Sequence, residues 1–184
     1  MSVINVVKMG DPFLALTAKP VIDLQGEALA TNIANMIDTM RHYQGVVLAA
    51  PQIGLSRRII VLEVADNTRY PQAQAIELDV LINPEIVQLS EQNEAGWEGC
   101  LSLPGMRGRI TRSVSLTYQA LSLTGESVEK TVHGFHARII QHEIDHLNGI
   151  LYPQRLTDIS DIGLEFGFED SLPAFQQANH LDVN

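Results

Sequence analysis

The chain has 184 residues, of which 45% are hydrophobic and 13 are glycine. This length and composition suit one globular domain, which we expect to span residues 1–184. The formal net charge of −10 argues against direct binding of nucleic acid. Proteins normally approach a phosphate backbone with clustered Lys and Arg, and the sequence contains no such cluster.

The beginning of the chain argues against a signal peptide and a membrane span. Lys8 and Asp11 would lie inside the apolar core that either segment requires. We therefore expect a soluble, cytoplasmic protein that makes no membrane contact.

The first predicted element is an amphipathic helix in residues 23–43. Leu29, Ile33, Ile37 and Met40 recur at the spacing of one helical face, and a glycine follows shortly as a stop signal. Four short runs rich in branched residues come next and are predicted to be antiparallel strands, separated by turn residues that include Asn83-Pro84 and Gly125. These runs are residues 58–64, 80–89, 114–121 and 127–132.

A second helix is predicted in residues 135–147, where Ile139, Ile144 and Leu147 are apolar and an Asn-Gly pair follows as a stop. Residues 157–168 mix acidic and apolar side chains without clear periodicity, so no type of element is assigned to the C-terminal segment 157–184. The predicted fold is α+β, with antiparallel β-sheets packed around a central buried helix. That helix carries the chemical motif.

The motif HEIDH occupies residues 142–146. It places His142 and His146 one turn apart on the same helical face, where both can bind one metal ion. Glu143 is rotated by about a quarter turn and can act on the water of that ion. Because HExxH also occurs by chance in unrelated helices, a third ligand is needed to identify a metal site.

Three candidates for the third ligand are open. In one clan of zinc proteases the motif continues as HExxHxxGxxH, but Tyr152 stands at the last position. Thermolysin-like proteases use a downstream glutamate, for which Glu165 and Glu169 are candidates without a convincing helical frame. Cys100 is the third candidate, since a thiolate is a strong metal ligand and the preceding Gly99 permits close approach of the backbone.

We favour Cys100, although an unpaired cysteine is commonly a plain buried apolar side chain. One thiolate and two imidazoles leave the fourth position of a tetrahedral ion open to water, as in catalytic zinc sites. A zinc endopeptidase that uses Glu165 is the enzymatic alternative. It would keep its metal after Cys100→Ser, whereas a Cys100 ligand predicts that most of the metal is lost.

Three segments together resemble the peptide deformylase family. They are residues 45–54 (GVVLAAPQIG), 98–102 (EGCLS) and 141–146 (QHEIDH), and the similarity spans about residues 5–155. The resemblance implies a metal-dependent hydrolase that removes the formyl group from the N-terminal formylmethionine of newly made polypeptides and releases formate. The implied partners are formylated nascent peptides.

The resemblance also implies roles for single residues. Cys100, His142 and His146 would bind one divalent metal, with Fe²⁺ expected and Zn²⁺, Ni²⁺ and Co²⁺ also suited to the ligands. Glu143 would take the proton of the attacking water and pass it to the leaving amine. The Gln52 amide and the Leu101 backbone N–H would face the developing oxyanion. The residues expected to contact the substrate are Gly45, Val46, Val47, Leu48, Gly99, Arg107, Phe135 and Ile139.

Within that group, residues 45–48 would pair with the extended peptide, and Val46, Phe135 and Ile139 would line the methionine pocket. Apolar residues of this kind are more often plain core. Arg107 is expected to contact the peptide backbone. Glu98 and Arg112 are expected to form an ion pair that orients the site.

Two departures from the family are visible. Val47 stands where the family usually has glycine, and its branched side chain restricts the backbone and fills space, which puts substrate range or rate in question. A binding protein that captures formylated peptides without turnover is the corresponding alternative, although Glu143 and Gln52 are both present. Many bacterial relatives end in a basic helix that contacts the ribosome. Residues 158–184 carry four Asp, two Glu and no Lys or Arg, so ribosome docking is not predicted.

Overall fold

The computed structural model describes residues 2–65 and 74–165, which contain two α-helices and eight β-strands. No helix in this part of the chain is long and apolar enough to cross a membrane. The helices are α1 (Glu27–His42) and α2 (Gly134–Leu147). The strands are β1 (Val47–Ala49), β2 (Ile59–Val64), β3 (Ile76–Leu89), β4 (Asn93–Cys100), β5 (Leu103–Ser113), β6 (Ser115–Leu121), β7 (Ser127–His133) and β8 (Ile162–Leu164).

The strands form two antiparallel sheets. The larger has the order β1-β2-β3-β6-β7, and the smaller has the order β4-β5-β8. The predicted α+β class with antiparallel sheets is therefore confirmed. The four predicted strands all belong to the larger sheet, whereas the smaller sheet was not predicted.

The two helices cover opposite faces of the larger sheet, as the alternation along β2 shows. Ile60 and Leu62 lie in a core cluster with the apolar residues of α2. Ile59 and Val61 lie in a second cluster with the apolar residues of α1. Because successive side chains of a strand point to opposite faces, a strand covered on both sides is apolar on both, as β2 is from Ile59 to Leu62.

Helix α2 is buried along most of its length, including the whole of the HEIDH motif. Its apolar side chains Ile140, Ile144 and Leu147 account for the packing against the sheet. The motif adds buried polar groups on the same helix, and each of these requires a partner or a function. The buried residues of α2 are Ala137 and residues 139–147.

Two predicted boundaries differ from the structure for local reasons. Helix α1 begins at Glu27 rather than at residue 23, because the Asp23 side chain accepts a hydrogen bond from the Gln25 N–H at 3.0 Å and forms a turn before the helix. Asn83-Pro84 is not a turn between strands but lies inside β3, at an irregularity in its pairing with β6. Asn83 has a positive φ of 52° there.

Gly149, just after α2, provides a test of the packing at the end of this helix. It has a φ of +74°, and a Cβ there would collide with the Ala15 backbone. Gly105 has a φ of +72° with no atom within 4 Å of such a Cβ. We expect Gly105→Ala to lower the free energy of unfolding by about 1 kcal/mol from backbone strain alone. Gly149→Ala should cost about 1 to 3 kcal/mol more, because it adds overpacking.

Urea denaturation of both variants beside the wild type measures the difference. Equal losses of stability in the two variants would contradict the close packing of residues 147–149 against the Ala15 segment.

Candidate metal centre

Three metal-binding side chains meet where the end of β4 approaches α2. Their candidate ligand atoms, from Cys100, His142 and His146, all lie within 4.8 Å of one another. The Cys100 Sγ is 3.2 Å from the His146 Nε2, and the two imidazole rings are 5.0 Å apart. The chain therefore has these three residues positioned to bind one metal ion.

The charges at this cluster favour the ligating form of Cys100. Burial raises the pKa of the Cys100 thiol, but His146 and His142 outweigh this effect and hold it well below its usual value. A thiolate is the form of cysteine that binds metals. One thiolate with two imidazoles is a donor set that suits Zn²⁺, Fe²⁺ and related ions, so these residues fit the metal that the HEIDH motif predicted.

The other positions considered for the third ligand do not join the two histidines in a cluster of donors among the described residues. The Tyr152 ring stacks on the His142 ring with centroids 6.1 Å apart. The Glu165 carboxylate forms an ion pair with Arg107 at 2.7 Å. Glu169 lies outside the described residues. Among the residues that the structure describes, only the Cys100 cluster brings three such donors together.

Glu98 orients the first histidine. Its carboxylate lies 2.8 Å from the His142 Nδ1 and accepts two hydrogen bonds from Arg112, at 2.9 and 3.0 Å, so the predicted ion pair is present. Burial alone would raise the pKa of Glu98. The hydrogen bonds and charges of His142 and Arg112 outweigh this effect and hold the pKa far below its usual range. An ionised Glu98 holds the proton of His142 on Nδ1 and leaves Nε2 to face a metal.

Two further residues of α2 complete this buried network and were not predicted. Asp145 accepts hydrogen bonds from Arg112 at 2.5 Å and from Arg155 at 2.6 Å. Arg138 bonds Glu98 at 3.0 Å and also the backbone carbonyls of β4 and β5. For Arg138, the spacing in the sequence is the signal that could have revealed this role. Arg138 precedes His142 by four residues and so lies on the same side of the helix.

Glu143 and Gln52 contribute the other polar groups near the cluster. Glu143 is buried, its Oε2 has no hydrogen-bond partner among the described residues, and burial raises its pKa. The Gln52 Oε1 accepts the Ala49 N–H at 2.9 Å, which turns the Nε2 toward Cys100 Sγ at 3.4 Å. The cluster thus has one free carboxylate oxygen and one oriented amide donor beside it.

A cavity of about 340 Å³ opens beside the cluster and receives most of the predicted substrate-contact residues. Leu48 is different, because its side chain is completely buried in the core cluster beneath α1. Lys8 and Glu165, which were not predicted as substrate contacts, also line the cavity. The predicted substrate-contact residues that line it are Gly45, Val46, Val47, Gly99, Arg107, Phe135 and Ile139.

Most of the chain is similar to proteins of one family, the peptide deformylases. The family model described as polypeptide deformylase matches residues 3–161. Peptide deformylase 1 of Nitrosomonas europaea is 47% identical over 167 residues, which cover 91% of this chain and 93% of that protein. Peptide deformylase 2 of Ralstonia nicotianae is 45% identical over 177 residues, covering 96% and 98%.

Solved structures agree with these relatives. The chain is similar to a class I type b peptide deformylase from Acinetobacter baumannii with Met-Ala-Ser bound, with a TM-score of 0.82 and 42% identity. This match covers 84% of the chain and 99% of the solved one. A peptide deformylase from Legionella pneumophila has a TM-score of 0.77 at 34% identity and covers 98% of the chain.

The buried network can be tested against an exposed pair of the same geometry. Arg112 and Glu98 have side chains only 5% and 4% exposed, whereas Arg41 and Glu63 form a similar two-bond pair with 52% and 24% exposed. Arg112→Met removes the arginine that joins two buried carboxylates, and leaves Glu98 with Arg138 and Asp145 with Arg155 as their remaining arginine partners. We expect it to lower the free energy of unfolding by about 3 to 5 kcal/mol.

Arg41→Met is the matched control, and its effect should be much smaller because solvent screens the exposed pair. Chemical denaturation of both variants measures the contrast. A loss in Arg112→Met no larger than that in Arg41→Met would show that the network does not stabilise the site.

Proposed function

Because the chain belongs to the peptide deformylase family, and is therefore a hydrolase that removes N-terminal formyl groups, we propose that Cys100, His142 and His146 hold its catalytic metal. The observation that carries this proposal is the meeting of their three donor atoms within 4.8 Å of one another. The proposed substrate is the formylmethionine at the N-terminus of a newly made polypeptide. The products are formate and a free amino terminus.

The metal is proposed to be Fe²⁺, and the same ligands suit Zn²⁺, Ni²⁺ or Co²⁺. When bound, a divalent ion supplies Lewis acidity, which makes a water more acidic and polarises the formyl oxygen. Glu98 supports the ligand set by fixing the His142 ring through Nδ1, at 2.8 Å.

Glu143 is proposed as the base and then the acid of the reaction. It accepts a proton from the water that attacks the formyl carbon, and it returns this proton to the amine nitrogen as the C–N bond breaks. Its buried Oε2 has no partner among the described residues and is available for this proton. Burial raises its pKa, which brings the carboxyl group nearer to the working pH, where proton transfer in both directions is efficient.

Gln52 and Leu101 are proposed to stabilise the oxyanion that forms on the formyl oxygen. The Gln52 Nε2 is directed into the site by the bond between its Oε1 and the Ala49 N–H. The second donor would be the Leu101 backbone N–H, in the residue next to the Cys100 ligand. Oriented donors of this kind stabilise a transition state by about 3 kcal/mol each.

The peptide is proposed to bind along the edge of the larger sheet. Among the described residues, strand β1 is an edge strand of that sheet and pairs only with β2. An extended peptide can pair with the backbone of residues 45–48 there, even though the Leu48 side chain points into the core. Val46, Phe135 and Ile139 line the cavity and are proposed to receive the methionine side chain.

Three more cavity residues are assigned roles in substrate binding. Arg107 is proposed to contact the peptide backbone. Gly99 leaves room for the Arg107 side chain, since a Cβ at residue 99 would lie 2.8 Å from the guanidinium. Val47 lines the cavity at the start of β1. We propose that its branched side chain narrows the range of residues accepted after the methionine.

Glu143→Gln tests the proposed chemistry directly. We expect formate release from a formyl-Met-Ala-Ser peptide to fall by about 10² to 10⁴-fold, because the amide cannot accept the proton of water. The measurement uses anaerobically purified, Fe²⁺-loaded protein. The metal content should stay unchanged, because all three proposed ligands are intact.

Glu91→Gln, the same change at an exposed residue just before β4, is the control and should behave as wild type. A wild type that holds metal but releases no formate would contradict the formylmethionine substrate and favour a non-catalytic binding protein. A Glu143→Gln variant with the wild-type rate would contradict the role of Glu143 alone.

A further inference from the structure

The N-terminal segment, residues 7–9, forms hydrogen bonds with the backbone carbonyls of both residues proposed to supply the oxyanion donors. The Val7 N–H donates to the backbone carbonyl of Gln52 at 2.8 Å. The Lys8 Nζ donates to the backbone carbonyl of Leu101 at 2.8 Å. The next residue donates its N–H to the carbonyl of Ser102, also at 2.8 Å. Three consecutive residues thus hold the two chain segments that would supply the donors.

The turn that carries Leu101 lacks the usual backbone form of a two-residue hairpin loop. Cys100 at the end of β4 pairs with Leu103 at the start of β5, and only Leu101 and Ser102 lie between them. Neither of these two residues has a positive φ. Type I′ and II′ turns, which match the twist of hairpin strands, require positive φ values. Contacts from outside the hairpin therefore contribute more to the stability of this turn than they would to a type I′ or II′ turn.

We propose that Lys8 is a positioning residue for deformylation, which holds the Leu101 carbonyl and thereby fixes the turn whose Leu101 N–H faces the oxyanion. This inference rests on the proposed function. The carbonyl and the N–H of Leu101 flank the same Cα, so a bond to the carbonyl restrains the direction of the N–H. Such a donor is effective only when it lies about 3 Å from the position of the oxyanion.

The surroundings of Lys8 account for its position. Its ammonium group lies 5.7 Å from the centre of the Tyr43 ring, at the end of α1, and the side chain lines the cavity. Lys8 therefore connects the end of α1 to the turn after β4. The aromatic ring favours a cation at this point, because its face carries negative charge.

A positioning role differs in its kinetics from direct contact with the peptide. The oxyanion is absent from the bound substrate and develops only in the transition state and the tetrahedral intermediate, so misplacing one of its donors lowers kcat and leaves KM nearly unchanged. A lysine that bound the peptide in the ground state would instead affect KM. Lys8 is exposed, so its replacement should not disturb the core.

The experiment compares Lys8→Met with Lys8→Arg and with Lys19→Met in metal-loaded, full-length protein. Lys19 is also exposed and does not line the cavity, so its replacement removes the same charge without the contact. Formate release from formyl-Met-Ala-Ser gives kcat and KM. Amide hydrogen exchange of residues 100–103 reports the order of the turn independently of activity.

We expect kcat of Lys8→Met to fall about tenfold and KM to stay unchanged within about twofold. The fall in kcat is smaller than the fall caused by removing an oxyanion donor, because the Leu101 N–H is misplaced and not lost. Lys8→Arg should restore most of the rate, because it keeps the charge and the donor. Exchange in residues 100–103 should become faster in Lys8→Met only. Metal content should be the same in all variants.

An unchanged kcat in Lys8→Met, or a raised KM with normal kcat, would overturn the proposal, and so would a loss of metal. Slow turnover in Lys8→Arg would also contradict it. If the wild type itself releases no formate, the proposed function fails instead. Hydrogen exchange then still decides whether Lys8 orders the turn.

Discussion

The structure depends on the pairing of charged groups that are buried between α2 and the smaller sheet. Glu98 from β4, Arg112 from β5 and Asp145 from α2 are each less than about one tenth exposed. A buried charge without a partner costs several kcal/mol, so these residues fix how the β4–β5 hairpin meets the helix. Cys100 lies on the same strand as Glu98, and His142 on the same helix as Asp145. The contact that satisfies the charges therefore also brings the three candidate metal ligands together.

The remaining parts of the site are held by neighbours of this contact. Glu98 leaves one nitrogen of His142 for a metal, and Gln52 is oriented by the backbone of Ala49 at the end of β1. Residues 7–9 then connect the Gln52 segment to the turn that follows Cys100. His142, Gln52 and the turn that carries Leu101 are thus each held by other residues, which fits a site that must hold its donors in place before the substrate arrives.

The sequence predicted the elements that have clear periodicity and missed those that do not. Helix α2 and the strands β2, β3, β6 and β7 have recognisable apolar patterns, and their positions are confirmed within a few residues. The strands β4 and β5 contain glycines and charges, because Gly96 and Gly99 must leave room for the guanidinium groups of Arg138 and Arg107. Those residues hide the strand pattern. The metal cluster was predictable from motifs, whereas the contacts of Asp145 and Lys8 join distant segments that no local pattern reveals.

The most direct test of the account is the X-ray absorption spectrum of the zinc-loaded protein at the metal edge. We predict one sulfur neighbour at about 2.3 Å together with imidazole nitrogens at about 2.0 Å. A spectrum with only nitrogen and oxygen neighbours would contradict Cys100 as a ligand, and with it the arrangement in which the β4–β5 hairpin and α2 together build the metal site.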